Sequence, residues 1–245
     1  MRVNACCLLR VLGATLAAAL LAGCPVRPHV PAPPPAAAPL APVAHQGARY
    51  EVDPGASLLT VLVYRGGTLA SAGHNHVIAS HQLNGAVYVP AEPLQASFEV
   101  HVPVDTLTVD EKELRARELS PDFPPEVPDS ARQGTRRNML GPELLDAANH
   151  PQLVLRALGV QRPAGGDSSH VLARVLTEVR GQQHAVEVPV SYHLEGSTLE
   201  ITAQFPLRQT DLGLTPFTAM LGALAVQDEM RVRLKLVAHA AAAPR

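Results

Sequence analysis

Apolar and polar residues alternate along several stretches of the chain, the mark of strands with one dry and one wet face. "SLLTVLVY" (residues 57–64), "NGAVYVP" (84–90) and "ASFEVHVPV" (96–104) all carry this period. In the third, Phe98, Val100, Val102 and Val104 share one face, and Ser97, Glu99 and His101 share the other. The pattern predicts further strands in "QLVLRALGV" (152–160), through residues 169–207, and in "EMRVRLKLVAH" (229–239), where Met230, Val232, Leu234 and Leu236 alternate with Arg231, Arg233 and Lys235. "RGQQ" and "EGST" interrupt the long run as turn signals, so consecutive hairpins are expected there. "DEKELRARE" (110–118) and "DSARQGTRRNMLGPELLD" (129–146) have helix-forming composition instead. Asp129 or Ser130 is placed to cap the second helix, and Gly141-Pro142 to end or kink it.

About eight strands joined mostly by short turns, with one helical insertion, define a mainly β fold. An antiparallel up-and-down barrel is favoured over a sandwich because closure removes exposed sheet edges, and a barrel of this size can hold one small ligand. Small apolar stretches such as "LASAG" and "LGALAV" are candidates for lining its lumen.

The N-terminus lacks this alternation. "MRVNACCLLRVLGATLAAALLAGC" begins with Arg2 and Arg10, and its apolar core over residues 11–21 is well short of the roughly 20 residues a spanning helix needs. Residues 1–23 therefore read as an export signal. "LAGC" resembles the lipobox of bacterial lipoproteins, a resemblance that implies a lipid on Cys24 and attachment to the cell envelope. Pro25 stands where an Asp would signal inner-membrane retention, so the same resemblance implies the outer membrane, facing the periplasm. The Pro- and Ala-rich residues 24–48 read as a semi-rigid spacer, residues 49–239 as the barrel domain and 240–245 as a tail.

Composition narrows the chemistry. Cys6 and Cys7 lie in the export signal and Cys24 at its end, so the folded part has no thiol nucleophile, cysteine zinc site, iron–sulfur cluster or disulfide. A formal charge of −2, with no Trp, gives no footprint for nucleic acid. No nucleophile elbow, phosphate loop or carboxylate pair is present, so neither an enzyme nor a cofactor is expected.

Three clusters are candidate site residues. In "GHNHVI", an extended chain would point His74 and His76 to one face, with Asn75 between them. Three readings stay open there: metal ligation, hydrogen bonding to a ligand at the cavity mouth, or an ordinary strand end. His81, His101, His193 and Glu99 are possible third ligands, but none shares a recognised metal spacing with the pair. "TRRNML" reads first as a solvated helix surface and second as a ligand contact, with Arg137 and Asn138 placed to meet an anionic head group if the insertion covers the barrel mouth. In "LRQTDLGLTP", Arg208 and Asp211 read first as a turn tied by an Arg–carboxylate interaction and second as a ligand contact, with Gly213 supplying a special backbone angle.

From about residue 50 to 238 the chain resembles the YceI-like family. "YEVDPGASLLTVLV" is similar to the family's opening Tyr-x-Ile-Asp-Pro-x-x-Ser, "NMLGPELLDAANHPQLVLRA" to its His-Leu-x-Ser-x-Asp-Phe-Phe-Asp-x-x-x-Tyr-Pro, and "LRQTDLGLTP" to its Arg-x-Asp-Phe-Gly-Ile. Asn138-Met139, Leu144-Leu145 and His150-Pro151 depart from the His-Leu, Phe-Phe and Tyr-Pro of that pattern, which marks a divergent branch. The resemblance implies a lipocalin-like barrel holding a long apolar ligand, a polyisoprenoid or quinone-like lipid, for transport, storage or sensing. The alternatives are a metal-binding or metal-dependent protein using His74 and His76, and a packed barrel acting as a structural or interaction lipoprotein.

Overall fold

The computed structural model describes residues 40–163 and 169–241. Cys24, the expected export signal and most of the expected spacer lie outside these residues.

The alternating stretches form strands, and the strands close into a ring. In chain order they are β1 (Ala48–Val52), β2 (Leu58–Val63), β3 (Arg65–Gly66), β4 (His76–Ser80), β5 (Asn84–Val89), β6 (Ser97–Pro103), β7 (Thr108–Val109), β8 (Gln152–Gln161), β9 (His170–Val179), β10 (Gln182–Glu195), β11 (Thr198–Arg208), β12 (Thr218–Ala219), β13 (Leu224–Val226) and β14 (Glu229–Ala240). Helices α1 (Lys112–Ala116) and α2 (Asp129–Leu140) make up the insertion. The antiparallel ladder runs β1-β5-β6-β8-β9-β10-β11-β14 and returns from β14 to β1. This is an eight-stranded closed barrel, and closure leaves its main ladder without a free edge.

Three of the eight staves are broken. β2 continues β1, β4 leads into β5 and β7 continues β6, because β14 pairs with β1 near its end and with β2 along its first half, while β4 bridges β2 and β7. The first break, residues 53–57, is the Asp-Pro-Gly-Ala-Ser segment. Asp53 Oδ1 accepts the Gly55 N–H at 2.8 Å, and Ser57 Oγ accepts the Val237 N–H at 3.0 Å. A buried hydroxyl thus takes the place of a ladder carbonyl at the corner. The other five staves are continuous. β9 and β10 meet at Arg180-Gly181, with φ of +52° and +69°, the paired positive angles of a type I′ hairpin.

Two apolar clusters hold the domain. The larger runs along the barrel interior, from Tyr50, Leu199 and Ala238 toward one end to the other, where Met139 and Leu145 of the insertion and Leu212 and Leu214 after β11 join Val104, Leu107, Val179 and Met230. The smaller lies outside the wall: Leu114 and Phe123 of the insertion cover Leu62, Val77 and Ala79 on β2 and β4. Each fully buried side chain of this size contributes about 1.5–3 kcal/mol.

Some expectations change. α1 is shorter than residues 110–118, and Asp110 precedes it in a left-handed conformation (φ +54°). Pro128 occupies the cap position of α2 and Asp129 its first turn, with no side-chain cap bond; Gly141 ends the helix as expected. "LASAG" and "LGALAV" do not line the lumen. They sit on a loop and on β13, which pairs with β3 and β12 in a small separate sheet. Their apolarity carries no period-two pattern that would place them on a barrel face. Residues 40–47 follow the barrel wall rather than standing free: Val43 N–H donates to Ala157 O at 2.8 Å, at the bulge in β8, and His45 stacks on Tyr88.

Candidate functional site

The inward rows of the barrel are mostly apolar, with Thr177 and His184 as polar positions in the row of Leu155. Register places Leu59, Leu234, Ala203, Val190 and Val171 in one row across β2, β14, β11, β10 and β9. Inward Val61, Leu155, Val186, Ile201 and Leu234 remain half-buried although the ring is closed around them. A packed lumen would bury such side chains fully, so this lumen is hollow over part of its length. A groove of about 600 Å³ lies on the outer face of the β9–β10–β11–β14 wall, bordered by outward-pointing Leu172, Pro189, Ser191, Thr202, Gln204 and Arg233, and is separate from the lumen.

The "GHNH" segment is built into the wall at the insertion end. Asn75 and His76 are buried, and β4 begins at His76. His76 Nδ1 lies 2.6 Å from Asp110 Oδ2, and His76 Nε2 lies 3.0 Å from Thr135 Oγ1 on α2. Asp110 Oδ1 accepts the Val77 N–H at 2.9 Å and an Arg115 Nη1–H at 2.6 Å. Arg115 also donates to Asn75 O and Pro124 O and stands over the Phe123 ring, 5.7 Å from its centre. Asn75 accepts the Arg65 N–H and donates to Asp122 O. Asp110 and Arg115, at 2% and 1% exposure, form a buried ion pair whose hydrogen bonds run to both sides.

Electrostatics follow from this geometry. Burial alone would raise the Asp110 carboxyl, but the hydrogen bonds from His76 and Val77 and the charges of His76 and Arg115 outweigh it, leaving it below the ordinary carboxylate value. Burial first, then neighbouring His76, Arg115 and Arg65, depress the His74 imidazole. Carboxylate, imidazole and hydroxyl stand in the order of an activated nucleophile. Here the imidazole is 8% exposed and held between β4 and α2, so the chain acts as a tie that fastens the insertion to the barrel.

The sequence candidates separate. His74 and His76 are neighbours, with rings 6.1 Å apart, but both nitrogens of His76 have partners. His81 pairs with Glu111, and His101 with Glu99, which also binds Arg156; neither joins the pair. Among the described residues no group of three or more His, Cys, Asp or Glu could hold a metal ion. Arg137 and Asn138 are exposed on α2. Arg137 lies about 200° around the helix from Thr135, which faces His76, and so points away from the tie. The turn at Arg208 and Asp211 is real, but Asp211 Oδ2 accepts the Arg208 backbone N–H at 3.3 Å, and no ion pair joins the two side chains among the described residues. Gly213 does have φ +68°, and a Cβ there would come within 2.7 Å of His184. Sequence reading missed Asp110, Arg115 and Thr135. Their signal was a His flanked by apolar residues, which when buried needs a polar partner from elsewhere in the chain.

A closed eight-stranded antiparallel barrel with an apolar, partly hollow interior places the molecule among the lipocalin-like barrels. The YceI-like domain model matches residues 50–238, and the chain belongs to that family. Among solved structures, it is similar to Burkholderia cenocepacia BcnA, at 17% identity and a TM-score of 0.54 over 76% of this chain and 98% of that one. It is also similar to a polyisoprenoid binding domain from Saccharophagus degradans implicated in plant cell wall breakdown, at 12% identity and a TM-score of 0.51 over 78% and 98% of the two chains. No curated protein matches the chain.

Proposed function

We propose that this protein is a cell-envelope lipoprotein, lipidated at Cys24 and facing the periplasm from the outer membrane, whose barrel holds a long apolar molecule. A polyisoprenoid or quinone-like lipid is the ligand class, and the role is to carry, store or sense it. The hollow apolar lumen carries this reading: its inward rows offer aliphatic contact along several residues, a lining that suits a hydrocarbon chain and gives few partners to a polar solute. Family membership and the Saccharophagus domain, described as polyisoprenoid binding, support it. "LAGC" and the preceding apolar run support the anchor. His74, at the half-buried start of "GHNH", is the residue proposed to meet a ligand head group, since His76 and Asn75 are engaged in the tie.

Native mass spectrometry of the chain purified from the periplasm, followed by denaturing identification of released material, tests the proposal. The expected result is an added mass matching a prenyl lipid or quinone at one per chain. A bare polypeptide that also takes up no isoprenoid probe would overturn it and favour the packed interaction barrel.

A further inference from the structure

At the insertion end, outside the barrel, the small sheet of β3, β13 and β12 carries an apolar tip. Met220 is 66% exposed and Leu221 fully so, and Leu69 on the adjoining loop is 42% exposed. The two loops are joined, with Leu69 N–H donating to Ala223 O at 2.8 Å. Met220 and Leu221 hold φ of +53° and +57°, followed by Gly222 at +86°. Residues with a Cβ resist this left-handed region, where Gly or Asn is the expected choice. Large apolar side chains also resist exposure to water. Two unfavourable features therefore fall on the same two residues, and side chains this exposed have little contact within the fold to offset them. Local conflicts of this kind point to function. The surroundings are uncharged as well: residues 213–227 contain no Asp, Glu, Lys or Arg, and residues 64–76 only Arg65.

We propose that this tip inserts into the surface of a lipid bilayer and seats the barrel on the membrane by its insertion end. Three side chains fall short of the roughly 800 Å² per partner that a stable protein interface buries. A bilayer surface accepts a few protruding apolar residues without matching their shape, and the absence of acidic residues at the tip avoids repulsion by anionic head groups. One weak membrane contact alone is reversible, so the tip would act together with the anchor at Cys24. The docking rests on the proposed envelope reading for its setting, and it presents the barrel to the phase in which a prenyl lipid dissolves.

The chain has no Trp, so Leu221→Trp supplies a single indole. In the full chain mixed with phosphatidylethanolamine–phosphatidylglycerol vesicles, its emission should shift to the blue. Brominated acyl chains should quench it about twofold or more, as expected of a side chain buried some 5–10 Å into the head-group boundary. Leu194→Trp, at the opposite end of the barrel, should keep the emission of an indole in water. No quenching at position 221, or equal quenching at both positions, overturns the proposal. Leu221→Gly provides the second arm: vesicle binding weakens while Tm stays level or rises, because the left-handed strain is relieved. A marked fall in Tm would make the tip part of the fold and also overturn the proposal. Bound lipid is read separately by native mass, so loss of docking with lipid retained is distinguishable from failure of the ligand reading.

Discussion

Asp110 accepts three hydrogen bonds, from His76, Val77 and Arg115, in a region closed to water. Asp110→Asn keeps its shape but leaves the Arg115 charge buried without a counter-ion, a change that costs about 3–5 kcal/mol. Urea denaturation at neutral pH is the measurement, with the midpoint expected to fall. The pH dependence has a defined sign. A carboxyl whose folded pKa is depressed contributes stability above its unfolded value, near 3.9, and that contribution is lost as pH falls through the folded value. Stability of the native chain should therefore decline below about pH 4 with a steeper slope than that of Asp110→Asn. In the sequence this residue opens a charge-dense stretch, "DEKELRARE", which reads as a solvated helix. Nothing local distinguishes Asp110 and Arg115 from Lys112 and Glu113, which stay exposed. "GHNH" was conspicuous, but its partners are 34 and 59 residues further along the chain, beyond the reach of any periodicity.

Among the elements, α2 depends most plainly on a polar tie, since Thr135 joins it to β4 through His76. Thr135→Val keeps the shape of the side chain and removes the hydroxyl, leaving a buried imidazole nitrogen unpaired at a cost of about 1–3 kcal/mol. Amide hydrogen exchange should quicken across residues 129–140 while the β9–β11 amides keep their protection; uniform acceleration would mean that the tie supports the whole barrel. Periodicity located the long strands because each has one wet face. It was silent on β4, all five residues of which are buried: Ile78 faces the main core, and Val77 and Ala79 lie under the insertion. Composition without periodicity misplaced "LGALAV", where small apolar residues serve a three-stranded sheet outside the barrel rather than its lining.

For the whole molecule, the hollow interior makes a substitution normally harmful to a core informative. Ala203 lies in the inward row next to half-buried Leu234. In a packed core Ala203→Trp would cost roughly 1–3 kcal/mol through overpacking. In this barrel the indole should enter empty space, so Tm changes little while uptake of an isoprenoid probe is lost; a large drop in Tm with uptake retained would contradict a hollow lumen. The barrel itself was legible because a closed antiparallel ring requires alternation on every stave, and turn residues such as Arg180-Gly181 mark where staves reverse. The hollow was not legible, because an inward Val looks the same whether it meets another side chain or a void.

The broken staves have a mechanical consequence. β8 to β11 form an unbroken run of long hairpin-linked strands, whereas β1/β2, β4/β5 and β6/β7 each bend where ladder bonds lapse, one of them bridged by the Ser57 hydroxyl. One side of the barrel is therefore tied by continuous ladders and the other is interrupted at three corners, so amides flanking the corners should exchange faster than those along β9 to β11.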